Sequence, residues 1–229
     1  MSDQMPKGDW AEHLKAAMSR EVTPRRAALR RAGEATRALI DRIVATRAPE
    51  EALVEAAKDV EAAVEKLSRY PQGWLYEGFR ESANAGDPHA FFDNSPIIGA
   101  ANPLAPPVQI SVQNELVVGR ARFGSAYEGP PGCVHGGYVA AAFDEVLGMA
   151  QSLTGRPGMT GRLSITYRRP TPLHTDVRFE GRVEKVEGRK IFTKGECYRD
   201  DELLCEAEAL FISVDFDKIA ELYDQRPSG

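Results

Sequence analysis

Pro130-Pro131-Gly132-Cys133-Val134-His135-Gly136-Gly137-Tyr138-Val139-Ala140-Ala141-Ala142-Phe143-Asp144-Glu145-Val146-Leu147-Gly148-Met149-Ala150 runs a glycine-rich bend straight into an apolar segment. A helix that is hydrophobic almost all the way round is a buried helix. Asp144 lies inside it, nine residues past His135. A carboxylate in such a place is costly unless something uses it. The first amides of the helix have no partner within it, so they offer a site for developing negative charge.

Strand-like runs flank this helix. They fall at 108–116 and 117–123 before it, and at 159–168, 176–186, 190–199 and 203–214 after it. Leu163, Ile165 and Tyr167 alternate with Arg162, Ser164 and Thr166, the period of a half-buried strand. Glu187-Gly188 and Asp200-Asp201 are turn signals, so the last three runs are expected as an antiparallel meander. Two strands, one buried helix and four strands fit an antiparallel sheet wrapped around a single long helix, an α+β architecture.

The rest of the chain divides by texture. Residues 1–23 are polar and expected to be flexible. Residues 24–69 read as two helices. The first, over 24–46, places Ala28, Ala32, Leu39 and Ile43 at helical spacing. The second opens at Pro49 with Glu50 and Glu51 in its first turn. Leu53, Val60, Val64 and Leu67 mark its apolar face. The short link between them implies a helical hairpin, read as a packing or oligomerisation element or as a lid over a ligand channel. Residues 70–107 carry many prolines and glycines and read as an irregular connection with one short helix near 89–92. Residues 108–215 hold the sheet and helix, and 216–229 form a C-terminal tail.

Composition limits the function. The chain has 229 residues, a net charge of -5, 42% hydrophobic and 28% charged residues, values of a globular protein without a broad nucleic-acid surface. No apolar run is long enough to span a bilayer, and the first residues lack the hydrophobic core of a signal peptide. Cys133, Cys197 and Cys205 lack metal-ligand spacing and are expected as free thiols in a reducing cytoplasm. His13, His89, His135 and His174 show no zinc spacing, and there is neither a dinucleotide fingerprint nor a phosphate loop. No metal or cofactor is expected. Cys133 and His135 lack a third group to orient the imidazole, which argues against a thiol hydrolase.

The candidate chemistry centres on the helix. The Gly136 N–H can hydrogen-bond the carbonyl oxygen of an ester or thioester; the alternative is a glycine turn needed for tight packing. His135 either caps the helix or fixes the turn and the substrate carbonyl. Asp144 can act as general base to a water or as nucleophile on the acyl carbon. Glu145, one residue round, is the alternative carboxylate. Thr160, at the start of the following strand, can orient the carboxylate or the water. Nine residues on a helix amount to about 900° and roughly 13 Å, so Asp144 and His135 cannot meet within one chain. Either they do unrelated jobs, or Asp144 meets the glycine turn of another copy across a two-fold axis. Arg168-Arg169, Arg189-Lys190 and Lys194 are ordinary strand-end charges singly, and together could bind the phosphates of a nucleotide-bearing substrate.

Tyr127-Glu128-Gly129-Pro130-Pro131-Gly132-Cys133-Val134-His135-Gly136-Gly137, then Asp144 and Thr160, resemble the hotdog-fold thioesterases. Ile165-Thr166-Tyr167-Arg168-Arg169-Pro170 and Lys185-Val186-Glu187-Gly188-Arg189-Lys190 extend the likeness, which covers about residues 95 to 215. It is nearest to the THEM-type acyl-CoA thioesterases within the PaaI-like group. The resemblance implies a hotdog fold, a homodimer or dimer of dimers, and hydrolysis of medium- or long-chain acyl-CoA to fatty acid and CoA. It implies that Gly136 polarises the thioester carbonyl beside His135, and that Asp144 comes from the partner subunit with Thr160 assisting. It further implies CoA contacts from Gly137, Thr166, Arg168, Arg189, Lys190, Ile191, Phe192, Thr193 and Lys194. A hotdog hydratase or dehydratase, or a non-catalytic acyl-CoA binding protein, are the alternatives. Some members carry asparagine six residues before the histidine, where this chain has Gly129. The helices at 24–69 lie outside the matching motifs.

Overall fold

In a computed structural model, the described residues are 22–71, 93–106, 108–156 and 158–213. The expected flexible N-terminus, the short helix near 89–92 and the C-terminal tail lie outside them.

Six strands form one antiparallel sheet: β1 (Gln109–Gln113), β2 (Leu116–Arg122), β3 (Gly158–Tyr167), β4 (Asp176–Glu187), β5 (Lys190–Arg199) and β6 (Glu202–Ser213). Their order across the sheet is β1-β2-β4-β5-β6-β3. The meander β4-β5-β6 is as expected, and the first strand after the helix returns to the far edge beside β6. The long helix Gly136–Ser152 packs across one face of the sheet, against β2 to β6. Phe143, Val146 and Leu147 are fully buried between it and Phe179, Ile191 and Phe211 of the sheet. This is the hotdog arrangement.

The helix sits close because the sheet beneath it is floored with glycine. Gly181 of β4 pairs with Gly195 of β5, and Gly195 with Ala207 of β6. A Cβ on Gly181 would lie 2.8 Å from Val146 Cγ1, and one on Gly119 of β2 would lie 2.7 Å from Val146 Cγ2. Side chains at these positions would lift the helix off the sheet.

Among the described residues two long helices precede the sheet, α1 (Pro24–Ala45) and α2 (Glu50–Ser68); the central helix is α3. Thr23 caps α1, accepting from the Arg26 N–H, and Pro24 stands in its first turn, where no intrahelical donor is needed. Its docked face is charged. Arg26 and Arg30 both bind the buried Asp93 carboxylate at 2.7 and 2.9 Å. Arg37 donates to the carbonyls of Ala100 and Asn102, and Gly33 lets the helix press onto the Ala101 carbonyl. Asp41 accepts from the Ala126 N–H. Each of these residues recurs about one helical turn after the last. The stripe Ala28, Ala32, Leu39 and Ile43 therefore faces away from the sheet domain.

The expected hairpin is present as two successive helices joined through 46–49, but its packed interface is not. Every residue of α2 is exposed, Leu67 at 71% and Val64 at 59%. Its apolar face meets nothing within the described residues. Pro49 stands as the residue before the helix rather than as its first residue.

Ser95 ties the segment behind α1 to α3. Its hydroxyl donates to Glu145 Oε1 at 3.0 Å and accepts from the N–H groups of Ile97 and Ile98. Burial raises the Glu145 carboxyl above the usual glutamate range, the Asp144 charge beside it adds to this, and the Ser95 hydroxyl opposes it. The folded protein thus binds this proton more tightly than the unfolded chain does. The cost of ionising Glu145 is absent below its unfolded pKa and grows as pH rises toward the folded value. Two expectations follow from these contacts. Denaturant midpoints measured from acid to neutral pH will show Glu145→Gln gaining stability relative to the native protein as pH rises; a difference independent of pH contradicts this. Gly181→Ala will destabilise by about 1–3 kcal/mol through overpacking against Val146, read from the same unfolding curves.

Candidate active site

The entry to α3 is a closed turn. Glu128 and Val134 form an isolated bridge, and the Gly129 N–H donates to the Cys133 carbonyl. The His135 N–H donates to the Tyr127 carbonyl. Gly129 has no room for a side chain, since a Cβ there would lie 2.7 Å from His135 Cα. The asparagine found at this position in some relatives of the motif does not fit this turn.

His135 is the N-cap of α3. Its Nδ1 accepts from the Gly137 N–H at 3.0 Å, and its carbonyl accepts from Tyr138 and Val139. These bonds occupy three of the first amides. The Gly136 N–H donates to no group among the described residues. Such an orphan donor at a helix start is the element that stabilises a developing oxyanion. Gly137, also expected at the substrate, spends its amide on His135.

Tyr167 is the residue that motif reading passed over as a site residue. It ends β3, and its hydroxyl donates to the Gly136 carbonyl at 2.8 Å. A Cβ on Gly136 would lie 3.3 Å from that hydroxyl. Tyr167 therefore pins the first turn of α3 and leaves little space there for a side chain. Burial raises its pKa, so the hydroxyl stays a donor. Its place in the alternation with Leu163 and Ile165 was the available signal. Gly136, Tyr167, Arg168, Cys133, Val139 and Pro170 are among the residues lining a groove of about 380 Å³.

Asp144 is placed elsewhere. Its Oδ1 accepts from the Thr160 hydroxyl at 2.7 Å. Thr160 reaches it because β3 carries a bulge. Thr160 pairs with Phe211, while Arg162 pairs with Leu210, so Gly161 is the extra residue. Without it, Thr160 would face away from Leu163, Ile165 and Tyr167. With it, all four point toward α3. Glu145 turns instead to Ser95 and does not share this cleft.

Within one chain these groups form two separate half-sites. Gly136, Tyr167 and Arg168 stand at the end of β3; Asp144 and Thr160 stand at its start. Seven residues of strand between Thr160 and Tyr167 amount to about 23 Å.

The expected CoA contacts divide by sheet face. Strand β5 buries Ile191 and Thr193, and the Thr193 hydroxyl has no partner among the described residues. These two side chains belong to the core and leave only their main chain to a ligand. Phe192 and Lys194 lie on the other face. Lys185 stands 4.6 Å over the Phe192 ring, and Lys194 pairs with Glu184 at 2.8 Å and Glu208 at 3.5 Å. Arg189 donates to the Ser213 carbonyl, and Lys190 is exposed beside it. Arg168 pairs with Glu206, and Arg169 with Glu202 at 3.0 Å. All four residues of these last two pairs keep solvent access, and such exposed pairs are weak enough to be exchanged for a phosphate. Thr166 is exposed on the edge strand.

The thioesterase superfamily profile matches residues 131–206, which hold the end of the turn, α3, Thr160, β4, β5 and the start of β6. The chain is 41% identical over 93 residues to acyl-coenzyme A thioesterase THEM4 of Xenopus laevis, covering 40% of this chain and 42% of that protein. It is 41% identical over 93 residues to THEM4 of Mus musculus, covering 40% of each. The chain thus spans about two fifths of the length of the curated relatives it matches. A crystal structure of a thioesterase superfamily protein superposes with a TM-score of 0.69 at 30% identity, covering 80% of this chain and 94% of that one. This match takes in most of both chains at 30% identity, so the chain belongs to the thioesterase superfamily.

Proposed function

We propose that the protein is an acyl-CoA thioesterase whose active site is shared between two copies of the chain. The carrying observation is the placement of an unpartnered Gly136 N–H and a hydroxyl-oriented Asp144 at opposite ends of the same edge strand. Among the described residues no strand pairs with the outer side of β3, and most of its residues are exposed. Two copies pairing antiparallel through β3 would set the start of one strand against the end of the other. The midpoint between Thr160 and Tyr167 falls at Leu163 and Ser164. A two-fold axis there brings Asp144 of each copy toward Gly136 of its twin and makes two equivalent sites.

In that site the thioester carbonyl oxygen accepts from the Gly136 N–H. Asp144 takes a proton from a water, whose oxygen attacks the carbonyl carbon. The negative charge passes to the oxygen held by Gly136. Collapse breaks the C–S bond and expels the CoA thiolate, which recovers the proton from Asp144. In the alternative order the carboxylate attacks the carbonyl carbon and expels the CoA thiolate as a mixed anhydride forms; water then cleaves the anhydride, returning Asp144 and releasing the fatty acid, and a proton from that water goes to the thiolate. Thr160 fixes the carboxylate in either case. His135 acts by removing Gly137 from competition and holding the turn, and Tyr167 by fixing the Gly136 peptide.

The CoA phosphates are assigned to Arg168 at one end and to Arg189, Lys190 and Lys194 at the other, with Thr166 and Phe192 beside them. A medium or long acyl chain is favoured by the size of the groove and by Pro130, Val134, Val139 and Pro170 among its walls; an acetyl group would occupy little of it. The free thiols of Cys133, Cys197 and Cys205 agree with a reducing, cytoplasmic setting, and an acyl-CoA substrate would give the protein a role in fatty acid metabolism. No helix among the described residues is long and apolar enough to cross a membrane.

Thiol release from CoA esters of graded chain length tests the reading. Asp144→Asn retains an acceptor for Thr160 and should lower kcat by about 10²–10⁴ with folding intact. Undiminished release by this variant contradicts the role of Asp144. A 3-hydroxyacyl-CoA product, or binding without any thiol, contradicts the activity.

A further inference from the structure

The helices α1 and α2 each carry an apolar stripe that the described residues leave largely open. On α2 it is Leu53, Ala57, Val60, Val64 and Leu67, spaced by alternate steps of four and three, the pattern of a helix seam. On α1 it is Ala28, Ala32, Ala35 and Leu39 at the same alternation, with Ile43 beyond. The α1 stripe lies opposite the face held by Asp93, so it is presented outward on an anchored helix. The stripes are complementary in size: alanines dominate one, and leucine and valine the other.

They are also complementary in charge. Arg25, Arg31 and Arg42 are exposed on α1, with Glu34 the one exposed acid. On α2, Glu50, Glu51, Glu55, Asp59, Glu61 and Glu65 outnumber Lys58 and Lys66. The helices are of similar length, 22 and 19 residues. Their seams nevertheless do not meet within the chain, because α2 is exposed throughout. An anionic lipid surface would attract α1 but repel the acidic α2 that follows it.

We propose that α2 docks on α1 of a second copy of this chain, and reciprocally, forming a helical clamp separate from the sheet edge. The exchange is isologous and closes at two copies. It joins a basic, alanine-lined helix to an acidic, leucine- and valine-lined one. It gives this superfamily member an association surface that does not depend on β3 or on the proposed catalytic groups.

The test uses the full-length chain with Val64 replaced by photo-reactive p-benzoylphenylalanine, mixed with an unmodified copy carrying a mass tag. Val64 is outside the core, so folding is not at stake. Illumination should yield a two-chain product whose cross-link maps to residues 24–45 of the tagged copy. Ala35→Glu in that copy should lower the yield roughly tenfold or more, since a carboxylate would be buried in the seam. Arg31→Glu with Arg42→Glu should lower it as well. Cross-links confined to one chain, mapping elsewhere on the second copy, or diverted to added phosphatidylserine vesicles overturn the proposal. So does a yield unaffected by Ala35→Glu.

Discussion

The contact between α3 and the glycine floor of the sheet sets everything else. Val146 lies against Gly119 and Gly181, and Leu147 lies against Gly181 and Gly195 at distances where no side chain fits beneath them. A helix pressed so close has one height and one rotation. That rotation sends Phe143, Val146 and Leu147 into the core. It leaves Asp144 and Glu145 to emerge on either side, one to Thr160 and the other to Ser95. It also fixes where the helix begins, and therefore where the Gly136 N–H points.

From that constraint the division of the site follows. The helix start meets the end of β3 through Tyr167, and its middle meets the start of β3 through Thr160. A rigid helix and a rigid strand hold these groups apart, and no loop movement within one chain can close the distance. The free edge of β3 is what makes the proposed pairing with a twin economical: one two-fold operation completes two sites. The thioesterase superfamily membership and the catalytic reading thus rest on the same packed element.

The core of this arrangement was legible in sequence because it depends on periodicity. Alternation in 163–167, turns at Glu187-Gly188 and Asp200-Asp201, and the apolar run after His135 marked the strands, the central helix and the meander of the last three strands; the place of β3 at the far edge beside β6 was not written in them. Helix geometry showed that nine residues carry Asp144 away from His135, which left two readings open: unrelated jobs, or a meeting with the glycine turn of another copy. What was hidden depended on particular local contacts. The Gly161 bulge, which turns Thr160 toward Asp144, breaks the alternation that strand reading relies on. Tyr167 resembles any inward strand residue until its hydroxyl is seen on the Gly136 carbonyl. Ile191 and Thr193 sit in a motif of surface residues, yet the pleat sends them inward. Helical spacing marked the apolar stripe of α1 without saying which face docks; buried Asp93 binds Arg26 and Arg30 and turns the face opposite the stripe inward.

Complementation between two defective chains tests the shared site most directly. Asp144→Asn removes one half-site, and Gly136→Val, blocked by Tyr167, removes the other. Each protein alone should release almost no thiol from acyl-CoA. Co-expressed in equal amounts and paired at random, they should recover about a quarter of the native rate per chain, because half the dimers would hold one intact composite site. Mixtures no more active than the separate variants would contradict a site built from two copies.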